Sequence, residues 1–163
     1  VTTRILAVCA GNICRSPIAA AAIEAAAMRA GIDVEVDSAG TGSWCVGQPP
    51  HPQAVAAAER VGLRPTGRAR VINGADFDRF DIIVVMDRSN LRDVLERAPS
   101  LEARAKVRLF RTFDPDTESD VIPDPYGGPD EGYEATVIQV LAAAEGLIET
   151  LRSARLQDSV AHD

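Results

Sequence analysis

Apolar and polar residues along the chain follow two rhythms. Short apolar runs recur at Ile5–Val8, Val34–Asp37, Ile82–Met86 and Val107–Leu109. Their length and β-branched content predict strands. Between them lie longer stretches rich in helix formers: Pro17–Ala30, Pro52–Val61, Ser89–Arg97 and Tyr133–Arg155. In the last of these, Val137, Leu141, Ala144, Ile148 and Leu151 recur on one helical stripe. Strands alternating with helices predict a single α/β domain, a four-stranded parallel sheet with helices on both faces. The domain is predicted over residues 1–156, and the polar stretch from Gln157 to Asp163 as a frayed tail. Ligands of such sheets bind beyond the carboxyl ends of the strands. Cys9, Ser38 and Asp87 all fall at such ends, which predicts one shared site.

The first strand leads into Cys9-Ala10-Gly11-Asn12-Ile13-Cys14-Arg15-Ser16-Pro17. Pro17 fits the first turn of a helix, where its missing N–H costs nothing. Residues 9 to 16 therefore form a strand-to-helix loop. Gly11 can take a positive φ, and Asn12 tolerates one better than most residues. The loop then curls its successive N–H groups inward, and with the helix N-terminus these make an anion site. Arg15 can fork two hydrogen bonds onto two anion oxygens. Amides, helix dipole and Arg15 together favour the thiolate of Cys9, the candidate nucleophile. Ser16 can donate to that thiolate and ease its departure. The bland alternative is a buried structural Cys9, a capping Ser16 and a surface Arg15. No Gly-Lys-Ser/Thr follows the glycine, so this is not a nucleotide P-loop.

A thiolate that cleaves a phosphate ester needs a proton for the leaving oxygen. Asp124, in Ile122-Pro123-Asp124-Pro125-Tyr126-Gly127-Gly128, lies in a loop stiffened by prolines and is the candidate. Asp-Pro is equally a turn signal. The chemistry calls for no metal and no other cofactor.

Composition narrows the setting. The chain has 163 residues, 46% of them hydrophobic and 25% charged. That is one domain with a sizeable core. A net charge of −7 argues against nucleic acid as a partner. No run of about 18 apolar residues suggests a membrane span. No signal peptide is recognised, so a cytoplasmic location is expected, with export by another route left open. The three cysteines lack metal-ligand spacing and point to a reducing compartment. Abundant Ala and Arg are associated with bacterial genes.

Cys9 to Pro17 resembles the signature of the low-molecular-weight protein tyrosine phosphatases. Further stretches match in order: Asp37-Ser38-Ala39-Gly40-Thr41, then Met86-Asp87-Arg88-Ser89-Asn90-Leu91, then Asp124-Pro125-Tyr126. The resemblance covers about residues 4 to 150. It implies that a monomer hydrolyses phosphotyrosine in proteins through a phosphocysteine. Cys9, Arg15, Ser16 and Asp124 would be catalytic. Ala10, Gly11, Asn12, Ile13 and Cys14 would bind the phosphate, with Ser38 and Asp87 in support. It makes Trp44 and Tyr126 walls of a slot for a phenyl ring; ordinary packing under loops is the other reading. Two activities on the same fold are alternatives. Arsenate reductase needs two further downstream cysteines, which are missing beyond Cys45. Phosphoarginine phosphatases carry Thr where Ile13 stands, and Ile13 favours phosphotyrosine.

The chain departs from the family at several places. Gly67 and Ala20 stand where many members have His and Glu, leaving Ser16 and Ser38 to hold Asn12. Gly127 replaces a second aromatic, and His51 replaces a helix-capping Asp. Cys14 reads either as a thiol that resolves oxidised Cys9 or as a small apolar filler. Cys45 is expected to be exposed or to compete as the resolving thiol.

Overall fold

A computed structural model describes residues 1–161. Its elements are β1 (Thr3–Cys9), α1 (Arg15–Ala30), β2 (Val34–Gly40), α2 (Pro52–Glu59), α3 (Asp76–Arg79), β3 (Ile82–Val85), α4 (Arg88–Arg97), α5 (Leu101–Ala105), β4 (Val107–Leu109), a 3₁₀ turn (Phe110–Phe113) and α6 (Asp130–Ala161). The four strands form one parallel sheet in the order β2-β1-β3-β4.

β1 is central and is buried from Ile5 to Cys9. Its side chains alternate between two cores, as strand geometry demands. Ile5, Ala7 and Cys9 join a core with α1, α2 and α6, while Leu6 and Val8 join another with Phe77, Phe80 and Val94. Helices thus cover both faces of the sheet, as the alternating pattern predicts. The two edges differ. β4 has three residues. On β2, Glu35 pairs with Arg4 and Arg79 at 3.3 and 2.7 Å, and Asp37 pairs with Arg70 at 3.0 Å.

Three elements escape the sequence pattern. α3, α5 and the 3₁₀ turn are four, five and four residues long, too short to show a helical period. The last helix runs to Ala161, through the first residues of the expected tail, which are exposed but helical. Residues 162 and 163 of that tail lie outside the described residues.

Candidate active site

The phosphate-type loop predicted between β1 and α1 curls at the carboxyl end of the sheet. Its left-handed residue is Asn12, with φ of 60°. Gly11 does not share that conformation, contrary to the expectation. Asn12 is held there by partners distant in sequence. Its Nδ2 donates to Ser16 Oγ at 2.8 Å and to Ser38 Oγ at 2.9 Å. Its Oδ1 accepts from the Arg70 backbone N–H at 3.0 Å. The Arg70 contribution is backbone only and has no sequence signal.

Gly40 explains why a glycine ends β2. A Cβ there would lie 2.6 Å from Ala10 O and 3.2 Å from Asn12 N. The strand and the loop therefore touch backbone to backbone. Thr41 N and Gly42 N donate to Cys9 O and Ala10 O, both at 3.0 Å, and lock the two together.

Cys9 is 3% exposed, at the base of a cleft of about 160 Å³. Its Sγ accepts the Asn12 N–H at 3.3 Å and lies 3.1 Å from Ser16 Oγ. Ser16 is fully buried, and its hydroxyl also reaches Ala39 O at 3.4 Å. The N-cap of α1, Cys14, makes no side-chain cap bond. The N–H groups of the first helical turn are thus left without a side-chain cap, and they carry the partial positive charge of a helix N-terminus.

Arg15 is buried, yet its charge is matched. Nη1 donates to Asp87 Oδ2 at 2.6 Å and to Ile122 O at 2.9 Å. Asp87 does two jobs with its two oxygens, because Oδ1 accepts from Asn90 N at 2.8 Å and caps α4. Asn90 Oδ1 accepts from Asp87 N at 3.2 Å, completing a capping box. A guanidinium fixed on one nitrogen keeps its other donors in a set direction. Asp124 Oδ2 lies 3.7 Å from Arg15 Nη2, on a side chain that is half exposed. Tyr126 N donates to Asp124 Oδ1 at 3.1 Å, which shapes the loop.

The cleft is lined by Cys9, Ala10, Gly11, Ile13, Cys14, Arg15, Trp44, Cys45, Asp124 and Tyr126. Asn12 and Ser38 stand behind it, and Asp87 stands behind Arg15. Trp44 and Tyr126 project from loops and remain 67% and 63% exposed. The Trp44 ring lies flat against Gly42, where a Cβ would come within 1.5 Å of Cζ3. Cys45, expected to be exposed, is buried on the cleft wall instead, because the Trp44 loop folds back over Gly11.

Tyr133 acquires a place here that sequence patterns did not assign, and His51 keeps the capping position read from the sequence. Tyr133, fully buried, accepts a bond from Cys14 Sγ at 3.8 Å. Burial pushes the Cys14 thiol up to about 12, against the lowering effect of that bond. Tyr133 is likewise raised, chiefly by burial. His51 caps α2, its Nδ1 accepting from Gln53 N at 3.2 Å. Among the described residues, no group of three or more His, Cys, Asp or Glu could hold a metal, and no helix is long and apolar enough to cross a membrane.

Comparison with known proteins gives matches over nearly the whole chain. The family model for low molecular weight phosphotyrosine protein phosphatase matches residues 4–157. A low molecular weight protein-tyrosine-phosphatase of Streptomyces coelicolor is 40% identical, covering 93% of this chain and 94% of that protein. The low molecular weight phosphotyrosine protein phosphatase of Sus scrofa is 37% identical, over 93% and 98%. A crystal structure of a protein tyrosine phosphatase from Entamoeba histolytica superposes with a TM-score of 0.90 at 30% identity, over 94% and 99%.

Proposed function

The chain belongs to the low molecular weight phosphotyrosine protein phosphatase family, and from that premise we propose how its own residues hydrolyse phosphotyrosine in proteins. The Cys9 thiolate attacks phosphorus from the base of the cleft. A P–S bond forms as the P–O ester bond breaks, and Asp124 gives its proton to the leaving phenoxide. Asp124, now a carboxylate, takes a proton from water. That water attacks the phosphocysteine, the P–S bond breaks, and inorganic phosphate leaves. Arg15 and the inward N–H groups of residues 10 to 15 hold the three equatorial oxygens in both steps. The Ser16 hydroxyl stabilises Cys9 as the departing thiolate. The mechanism calls on no metal.

One observation carries this reading. A buried thiol receives a backbone N–H and faces a serine hydroxyl, in the same cleft that holds a charge-matched Arg15 and a half-exposed Asp124. Trp44 and Tyr126 form the mouth, which suits a flat aryl group. Hydrolysis of p-nitrophenyl phosphate tests the proposal. Cys9→Ser should remove turnover while still binding inorganic phosphate, and a serine variant with near-parental rate overturns the covalent route.

Cys14 is proposed as the thiol that rescues oxidised Cys9. A Cys9 sulfenic acid formed by peroxide condenses with the Cys14 thiol, giving a disulfide and water. Its high thiol pKa makes this condensation slow.

A further inference from the structure

His51 lies outside the cleft, yet it touches what builds the cleft from three sides. Its backbone N–H donates to Ile13 O at 2.8 Å, on the phosphate loop. Its ring stacks on Tyr133, with centroids 5.6 Å apart and planes 16° apart. Tyr133 in turn accepts the Cys14 thiol. The other contact of the ring is with Tyr126, edge to face, at 5.7 Å and 84°. The neighbouring Gln53 reaches the same loop, its Nε2 donating to Gly128 O at 3.4 Å and Asp130 Oδ1 at 2.9 Å.

Tyr126 needs such support. It is 63% exposed, and Gly127, at φ of 81°, follows it. A side chain that exposed has little else to fix its rotamer. Tyr133 is fully buried, so His51 stands as a spacer between an enclosed ring and an exposed one. The cap and the spacer are separate properties of one side chain: Nδ1 serves α2, and the ring contacts the two tyrosines.

We propose that His51 is a positioning residue for aryl selectivity, holding Tyr126 as the wall of the cleft without touching substrate. This rests on the reading above that Trp44 and Tyr126 receive the aryl group. An aromatic pair of this geometry contributes a factor of about two to ten to an equilibrium. The expected loss therefore appears in aryl binding and leaves the phosphate loop alone.

Two substitutions divide the functions. His51→Asn keeps a helix-capping oxygen and removes the ring. His51→Phe keeps a ring and removes the cap. The probes are inhibition constants for benzylphosphonate and for inorganic phosphate, with KM and kcat for p-nitrophenyl phosphate. In His51→Asn, benzylphosphonate inhibition and KM should weaken by about two- to tenfold. Its phosphate inhibition and kcat should stay within about twofold of the parent, since an aromatic contact to Tyr126 touches neither. In His51→Phe, aryl binding should be retained while thermal stability falls. In a Tyr126→Ala background, His51→Asn should have no further effect on benzylphosphonate. The proposal is overturned if His51→Asn leaves the benzylphosphonate-to-phosphate ratio unchanged, if His51→Phe loses as much as His51→Asn, or if the two losses add. A parent enzyme that binds benzylphosphonate no better than phosphate would instead remove the aryl cleft itself, and this proposal with it.

Discussion

Gly40→Ala tests the idea that strand and phosphate loop meet backbone to backbone. Gly40 has no left-handed φ, so the added methyl acts by contact alone. Its Cβ would sit 2.6 Å from Ala10 O, with Asn12 N and Asn12 Cβ each 3.2 Å away. A carbon rests against a carbonyl oxygen at about 3.3 Å or more. Relief requires a shift of about 0.7 Å on that scale. The strand cannot supply it easily. Gly40 N donates to Arg70 O at 2.8 Å, Gly40 O accepts from Ile72 N at 2.9 Å, and Gly40 is paired in register with Cys9. The loop must move, and with it the N–H groups that hold phosphate. Overpacking of this kind costs about 1–3 kcal/mol of stability. For a chain of this size that lowers Tm by about 2–12 °C. A misplacement of 1 Å costs about a hundredfold in rate, so kcat/KM for p-nitrophenyl phosphate should fall about ten- to a hundredfold. Steady-state kinetics with a parallel thermal melt measure both. Gly74→Ala is the control, since its Cβ meets nothing within 4 Å. A folded Gly40→Ala variant with parental kcat/KM refutes the reasoning.

Asp124→Asn should slow phenyl phosphate hydrolysis by about 10²- to 10⁴-fold and p-nitrophenyl phosphate far less; equal losses count against a general acid. After peroxide and then dithiol, Cys14→Ser should recover less activity than the parent, and peptide mapping should find a Cys9–Cys14 bridge in the oxidised parent. The Cys14 thiol is raised in the fold, so above the ordinary thiol range the unfolded chain loses a proton that the folded one keeps. Stability is then fully present below about pH 9 and drains away toward about pH 12, by about 1.4 kcal/mol per unit; denaturant melts of Cys14→Ala should show a flatter alkaline slope. Gly146→Ala should destabilise α6 despite the better helix propensity of Ala, because its Cβ would fall 1.8 Å from Phe113 O; a rise in the denaturation midpoint would contradict that packing.

The parts of this molecule that were legible in the sequence are those written locally. β1 and α1 announce themselves by apolar runs and helix formers, and the loop between them by residue types that suit an anion site. The order of alternating elements was enough for a parallel sheet between helices. α3 and α5 were not legible, because one turn of helix carries no period. Both Gly11 and Asn12 read as able to take the left-handed position; that Asn12 alone of the two does so is tied to Ser38 and Arg70, which reach the loop only after folding. Tyr133 read as one more residue of an amphipathic helix, and His51 as a cap. Their stacking depends on how α2 and α6 meet, which no local pattern encodes.

The two borders of the sheet have a consequence for the life of the protein in a crowded solution. An unpaired strand border is a template on which another chain can add itself. β4, with three residues, offers too short a template to nucleate such pairing. β2 has seven residues, but Arg70 and Ile72 already take the outer backbone groups of Gly40, and Glu35 and Asp37 carry carboxylates engaged by Arg4, Arg79 and Arg70. An incoming strand would have to displace those arginines and bury the charges. Arg79 also holds the Glu35 carboxyl below its usual range, so that charge persists in mild acid.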